Sequence, residues 1–188
     1  MGKFLTAIGT VLLALLVYFD VLPWRDDRAP KPPGQDGASR QSGAPQGPAL
    51  RGRARVVDAD TLDIAGVRIR LHGIDAPERD QSCTRSGFPW PCGQQASAAL
   101  ASLVSGRDLR CDPRDRDRYE RVVAVCWTGE VDVNRWLVDQ GWALAYRRFS
   151  TAYVSAEDAA RQARRGMWIG SFETPEDYRR NQPDRRRF

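Results

Sequence analysis

Three short β-branched runs, Arg53–Asp58, Thr61–Ile64 and Val67–Leu71, follow one another almost without interruption. Ala65-Gly66 between the second and third reads as a tight turn, so this stretch is predicted to be strand, turn, strand. In the third run Val67, Ile69 and Leu71 alternate with Arg68, Arg70 and His72, which gives one apolar and one cationic face. Beyond it, Gln94–Val104 carries Ala96, Ala99, Leu100 and Leu103 at helical spacing, with Gly106 as a stop. Asp108–Cys111 and Val122–Trp127 read as paired strands across a charged loop. Asp132–Gln140 is a helix with Asp132 as its N-cap, and Ser155–Arg165 opens on Ser155-x-x-Asp158, a capping-box-like start. Short strands with intervening helices predict an α+β fold, mainly β: a small barrel with packed helices. The order of elements alone leaves the topology open.

This domain is preceded by something different. Phe4–Phe19 is an uncharged run after Met1–Lys3, and Asp20 and Val21–Trp24 follow. Sixteen helical residues span about 24 Å, and extension to Trp24 brings the run up to the ~30 Å hydrocarbon core. No Ala, Gly or Ser lies between Leu15 and Arg28, so the small-residue pattern of a cleavage site is missing. An uncleaved signal-anchor over residues 1–24 is therefore preferred to a cleaved signal peptide that would release a secreted product. Residues 25–50, rich in Pro, Gly, Ala, Ser and Gln, read as a flexible linker. The domain is expected over 51–175 and a basic tail over 176–188.

Net charge is +5. Residues 51–178 hold nineteen Lys/Arg and nineteen Asp/Glu, whereas 179–188 hold five Arg and one Asp. The body is neutral, so the basic pI is weak support for nucleic-acid binding. The Arg-rich end is read as solvated, with non-specific phosphate binding as the alternative.

Four cysteines permit three pairings, and no C-x-x-C favours zinc. Cys111 and Cys126 are equidistant from the centre of the loop between their strands and would face each other in a symmetric hairpin. Cys83 and Cys92 then pair by elimination. The first bridge closes a loop of about 15 residues and would contribute ~3 kcal/mol in the chain-entropy model. Four buried free thiols are the competing reading. Disulfides imply an oxidising compartment, which puts the domain beyond the anchor: a single-pass protein of a bacterial inner membrane facing the periplasm or exterior.

The charged residues concentrate between Asp58 and Glu78. Asp58, Asp60, Asp75 and Glu78 surround Arg68 and Arg70, and Asp117-Arg-Tyr-Glu-Arg121 follows later. Oxygen donors without Cys or a second His nearby suit a hard cation such as Ca²⁺ or Mg²⁺. Guanidinium forks suit phosphate, and a neighbouring carboxylate can orient or deprotonate a water. Together they fit phosphodiester hydrolysis, although on composition alone such charges more often make surface salt bridges.

The set Asp58-Ala-Asp-Thr61, Arg68-Ile-Arg-Leu-His-Gly-Ile-Asp-Ala-Pro-Glu78 and Asp117-Arg-Tyr-Glu-Arg-Val-Val-Ala124, in this order, strongly resembles the thermonuclease (staphylococcal-nuclease-like) family. The resemblance runs from about Arg53 to Trp168 and includes Asp139-Gln-Gly-Trp-Ala143 and Arg165-Gly-Met-Trp168. The cysteine-bearing loop looks like that of bacterial exported members. The resemblance implies an OB-fold, a five-stranded barrel with about three helices, and Ca²⁺-dependent cleavage of DNA and/or RNA; a monomer is expected. It puts Asp60 and Asp75 on the calcium carboxylates, with Ala76 supplying a backbone carbonyl where the best-known member has Thr. It puts Arg70 and Arg121 on the phosphate-binding arginines and Glu78 on the general base. Tyr119 and Tyr146 fall on the nucleotide pocket. Glu120 departs from the usual Gly, and His72, the only histidine, has no role. The alternative is a non-catalytic OB-fold that binds nucleic acid or protein.

Overall fold

The computed structural model describes residues 47–182. The expected membrane segment, most of the expected linker and the last residues of the basic tail lie outside the described residues. No helix among the described residues is long and apolar enough to cross a membrane.

The elements are β1 (Leu50–Asp58), β2 (Thr61–Ile64), β3 (Val67–Leu71), β4 (Ile74–Asp75), β5 (Cys83–Arg85), β6 (Phe88–Trp90), α1 (Cys92–Val104), β7 (Asp108–Arg116), β8 (Val122–Thr128) and β9 (Val131–Asp132), followed by α2 (Val133–Asp139), β10 (Leu144–Ala145), α3 (Val154–Gln162), a 3₁₀ turn (Gly166–Ile169) and α4 (Pro175–Asn181). The main sheet runs β3-β2-β1-β7-β8-β9, and β3 also pairs parallel with β8. That last pairing closes β1, β2, β3, β7 and β8 into a five-stranded barrel, the mainly-β architecture of an OB-fold.

Local chemistry explains the turns of this barrel. Ala65 and Gly66 both have positive φ, +52° and +85°. This is the backbone of a two-residue hairpin turn, and Asp63 Oδ1 accepts the Gly66 N–H at 3.1 Å to hold it. β1 serves two partners: Leu50–Arg53 pair with β7 and Ala54–Asp58 with β2. A bulge between Val56 and Asp58 bends its far end, as barrel closure requires. In the β7–β8 hairpin Cys111 stands directly opposite Cys126, as the symmetric-hairpin reading expects. Both expected disulfides are present, Cys83–Cys92 and Cys111–Cys126, with Cα separations of 5.6 and 4.0 Å.

The core is filled from every side. Leu62, Ile69, Leu71 and Ile74 come from β2–β4, Leu100 from α1, Leu109 from β7, and Val133, Leu137 and Val138 from α2; all are fully buried. Among the buried polar side chains, Asn134 is wholly buried yet satisfied. Its Nδ2 donates to the carbonyls of His72 and Ala124 at 2.9 and 3.2 Å, and its Oδ1 accepts the Cys126 N–H at 3.1 Å. One side chain of α2 thus ties the end of β3 to β8.

Three expectations need correction. β7 runs on to Arg116 rather than stopping at Cys111. Leu109, Cys111 and Pro113 keep pointing inward, and the charged residues between them hid the alternation. Ser155 is not the cap of α3; the helix begins at Val154 with Tyr153 as N-cap and no side-chain cap bond. The stretch read as a solvated basic end contains a fourth helix, α4, in 175–181. Thr174 Oγ1 accepts the Asp177 N–H at 3.2 Å, Pro175 fills the first turn, and Arg179 and Arg180 lie in the last turn. That is a normal set of start and stop signals, masked by the arginine-rich composition.

Candidate active site

Barrel register brings the charged residues together. Thr61 on β2 lies opposite Arg70 on β3, and Arg70 lies beside Val123 on β8. Asp60 and Arg121 immediately precede β2 and β8. Asp75 ends β4, and Glu78 sits on the turn three residues later.

From these positions the side chains make one connected chain of bonds. Arg121 Nη1 reaches Thr61 Oγ1 at 3.5 Å, and the Thr61 hydroxyl donates to Asp60 Oδ1 at 2.9 Å. Arg70 bridges the two expected calcium carboxylates, with Nη1 2.6 Å from Asp60 Oδ2 and Nη2 3.0 Å from Asp75 Oδ1. Arg179 of α4 then spans Asp75 and Glu78: its Nη2 lies 3.0 Å from both Asp75 oxygens and its Nη1 3.0 Å from Glu78 Oε1.

Asp60 and Asp75 are buried, at 5% and 3% exposure. Burial of this kind is tolerated only with partners, because removing one partner of a buried pair costs about 3–5 kcal/mol. Burial pushes the Asp75 carboxyl above its ordinary range, against the opposing pull of Arg179 and Arg70. Glu78 is likewise raised by burial, with Arg179 opposing the rise. Burial also works against the charge of Arg70, but Asp60 and Asp75 outweigh it and its pKa is raised.

Arg121 is held from the other side by a small loop. Its Nε donates to Asp117 Oδ2 at 2.7 Å, while Asp117 Oδ1 accepts the N–H groups of Tyr119 and Arg121 at 2.9 and 3.0 Å. Glu120 has φ +61°, in the left-handed region where Gly is at ease, at a cost of about 1–2 kcal/mol for an L-residue. The departure from Gly therefore keeps the turn and strains it. Tyr119 is exposed, with the guanidinium carbons of Arg118 and Arg121 at 4.8 and 5.5 Å from its ring centre. Tyr146 lies on a separate loop after β10, its ring edge-on to Phe149 and its N–H on the Gly73 carbonyl at 2.9 Å. His72 stands apart: burial and then Arg114 lower its pKa, and its backbone rather than its ring is engaged by β8 and Asn134.

Several contributors were invisible in the sequence. Thr61 and Asp117 stood inside the motifs without a role. Gln81 is wholly buried; its Oε1 accepts the Glu78 N–H at 3.3 Å and its Nε2 donates to the Glu173 carbonyl at 2.8 Å, joining the Glu78 turn to the segment before α4. Gly93, in the first turn of α1, packs on that turn so closely that a Cβ would lie 1.8 Å from the Glu78 carbonyl oxygen. Arg179 falls within the expected basic tail, where composition gives it no role.

As a cation site, Asp60 and Asp75 offer two adjacent buried carboxylates and only oxygen, which fits a hard divalent ion. No group of three or more His, Cys, Asp or Glu gathers at metal-holding distance among the described residues. Carbonyl oxygen, such as that of Ala76, and water would have to complete the shell.

The family described as Staphylococcal nuclease homologue matches residues 68–170 of this chain. The chain belongs to that family. This staphylococcal nuclease homologue is 40% identical over 121 residues to the succinoglycan biosynthesis protein ExoI of Rhizobium meliloti (strain 1021), covering 62% of this chain and 63% of the relative. It thus spans just under two thirds of that protein's length. It is 34% identical over 156 residues to the protein ParB of Escherichia coli, covering 73% of this chain and 83% of the relative. An uncharacterized endonuclease of Escherichia coli is 32% identical over 134 residues, covering 67% and 82%.

Proposed function

We propose that this staphylococcal nuclease homologue hydrolyses phosphodiester bonds of DNA or RNA by attack of water on phosphorus. The observation that carries the reading is the continuous bonded series Arg121–Thr61–Asp60–Arg70–Asp75–Arg179–Glu78, which gathers a carboxylate, two phosphate-type guanidiniums and a pair of buried carboxylates. Names of relatives that contain "endonuclease" support it at the family level.

In this reading Glu78 orients the attacking water and takes its proton. The raised pKa of Glu78 suits that role, because a stronger base accepts the proton more readily. Arg70 and Arg121 bond the equatorial phosphate oxygens as charge gathers on them; losing one such donor costs roughly 3–4 kcal/mol in barrier. Asp60 and Asp75, with the Ala76 carbonyl, would hold Ca²⁺, which when bound polarises a phosphate oxygen. Tyr119, exposed beside Arg121, offers a face on which a base can stack.

Cleavage of plasmid DNA and of single-stranded RNA, with and without Ca²⁺, tests this. Glu78→Gln is expected to slow cleavage at least ~10²-fold with binding retained, and Arg121→Lys to be poor because an ammonium has no fork. His72→Ala should cleave at the parent rate. Parent-rate cleavage by folded Glu78→Gln would sink the mechanism.

The seating of Arg179 on Glu78 favours a second reading, a nucleic-acid-binding OB-fold without activity, because the base is occupied in this arrangement. Absence of cleavage with retained binding would select it. The two disulfides support an oxidising compartment for either reading.

A further inference from the structure

We infer that Arg179 is a tethered cation that competes with a divalent ion for Asp75, so that α4 sets the metal affinity of the site. The inference rests on the reading of Asp75 as a cation ligand.

The lone pairs of Asp75 carry the argument. Each carboxylate oxygen has two. Oδ1 of Asp75 already accepts Arg70 Nη2 and Arg179 Nη2, both at 3.0 Å, and Oδ2 accepts Arg179 Nη2 as well. Oδ1 is therefore saturated and Oδ2 is half used. Asp60 is used to the same extent, with the Thr61 hydroxyl on Oδ1 at 2.9 Å and Arg70 Nη1 and the Ala76 N–H on Oδ2 at 2.6 and 3.5 Å, but all of its partners belong to the barrel or the segment directly after β4, whereas Asp75 takes one of its two arginines from α4. A divalent ion bonded to Asp75 at about 2.3–2.6 Å has only the remaining lone pair of Oδ2, beside the Arg179 charge, unless Arg179 withdraws and gives up the pairs it holds. The two cations therefore compete at this carboxylate.

Of the two arginines on Asp75, Arg179 is the one able to leave. The Arg70 side chain is 18% exposed and is locked between Asp60 and Asp75, whereas that of Arg179 is 35% exposed. Arg70 belongs to a barrel strand. Arg179 belongs to a seven-residue helix held by its Thr174 cap, a 3.4 Å bond from the Tyr178 hydroxyl to the Asp80 carbonyl, and the Gln81–Glu173 bond. Rotation of one side chain, or undocking of one short helix, frees Asp75 and Glu78 together. The same contact that blocks the metal carboxylate occupies the base, so an ion that displaces Arg179 also releases Glu78.

Isothermal titration of Ca²⁺ into the full chain, without nucleic acid, tests this. Arg179→Ala is expected to tighten Ca²⁺ binding by ~10-fold, within the usual range of coupling between two competing ligands. Arg180→Ala, which removes a neighbouring α4 arginine bonded to Glu176 and Asp177, should bind as the parent does. Linkage requires the reverse effect, a weaker hold of Arg179 on Asp75 when Ca²⁺ binds; where α4 undocks with its arginine, amide exchange over residues 175–181 rises in the parent. Equal Ca²⁺ affinity in parent and Arg179→Ala, or weaker binding in the variant, overturns the inference and leaves the calcium site standing. No Ca²⁺ binding by either protein overturns the calcium reading, and the inference with it.

Discussion

Asp117→Asn isolates the charged bond that aims Arg121. The carboxylate accepts three hydrogen bonds: one from the Arg121 guanidinium at 2.7 Å and two from backbone N–H groups at 2.9 and 3.0 Å. Asn has the same shape and keeps an oxygen for the backbone pair, so the loop retains its turn. What disappears is the charge facing Arg121. A hydrogen bond between charged groups contributes ~1.5–3 kcal/mol. The two side chains are 26% and 20% exposed, so solvent screening brings the expected loss to ~1–2 kcal/mol. The pH dependence follows from the direction of the shift. Partial burial works against the Asp117 carboxylate, but the bonds from Arg121 and the two N–H groups outweigh it and hold its pKa below the ordinary 3.8. The contribution is then fully present above the unfolded value and is lost as pH falls through the folded one. Urea denaturation of both proteins at neutral pH and again near pH 3 reads this directly. The gap between parent and variant should be constant from neutral pH down to about pH 5 and narrow below it. A gap that stays the same at the lowest pH, or a variant as stable as the parent at neutral pH, refutes the reasoning.

Asn134→Leu should destabilise the domain by ~2–4 kcal/mol, because it takes a partner from two buried backbone groups and one part-buried carbonyl; thermal melting followed by circular dichroism measures it. Gly93→Ala has to displace the Glu78 backbone by the overlap of its new Cβ, so it should cost ~1–3 kcal/mol and lower cleavage more than binding, read by melting and by parallel cleavage and binding assays. Replacing both Cys111 and Cys126 with Ala opens a 15-residue separation and should lower stability by ~3 kcal/mol in denaturant titrations, with no further loss on adding reductant beyond that at Cys83–Cys92.

Much of the fold was legible because its signals are local. The Ala65-Gly66 turn, the alternation of Ile69 and Leu71 against Arg68 and Arg70, the Asp132 cap and the symmetric spacing of Cys111 and Cys126 each involve neighbours in the chain or one hairpin. The same holds for the family: the ordered segments that carry Asp60, Arg70, Asp75, Glu78 and Arg121 resemble the staphylococcal-nuclease-like family, and the family's model matches residues 68–170. Only the tertiary structure decided which of these groups touch. Barrel closure by the parallel β3–β8 pairing sets Arg70 beside β8, and a long-range pairing of that kind leaves no local mark. Asn134 and Gln81 join separate segments because they are buried, since a buried amide must find partners wherever the fold provides them. Arg179 shows the difference most clearly. In the sequence it is one of five arginines in the last ten residues. In the fold it is a buried-side partner of Asp75 and Glu78, roughly a hundred residues away along the chain, because a charge is indifferent to sequence distance once packing has brought its counter-charge within 3.0 Å.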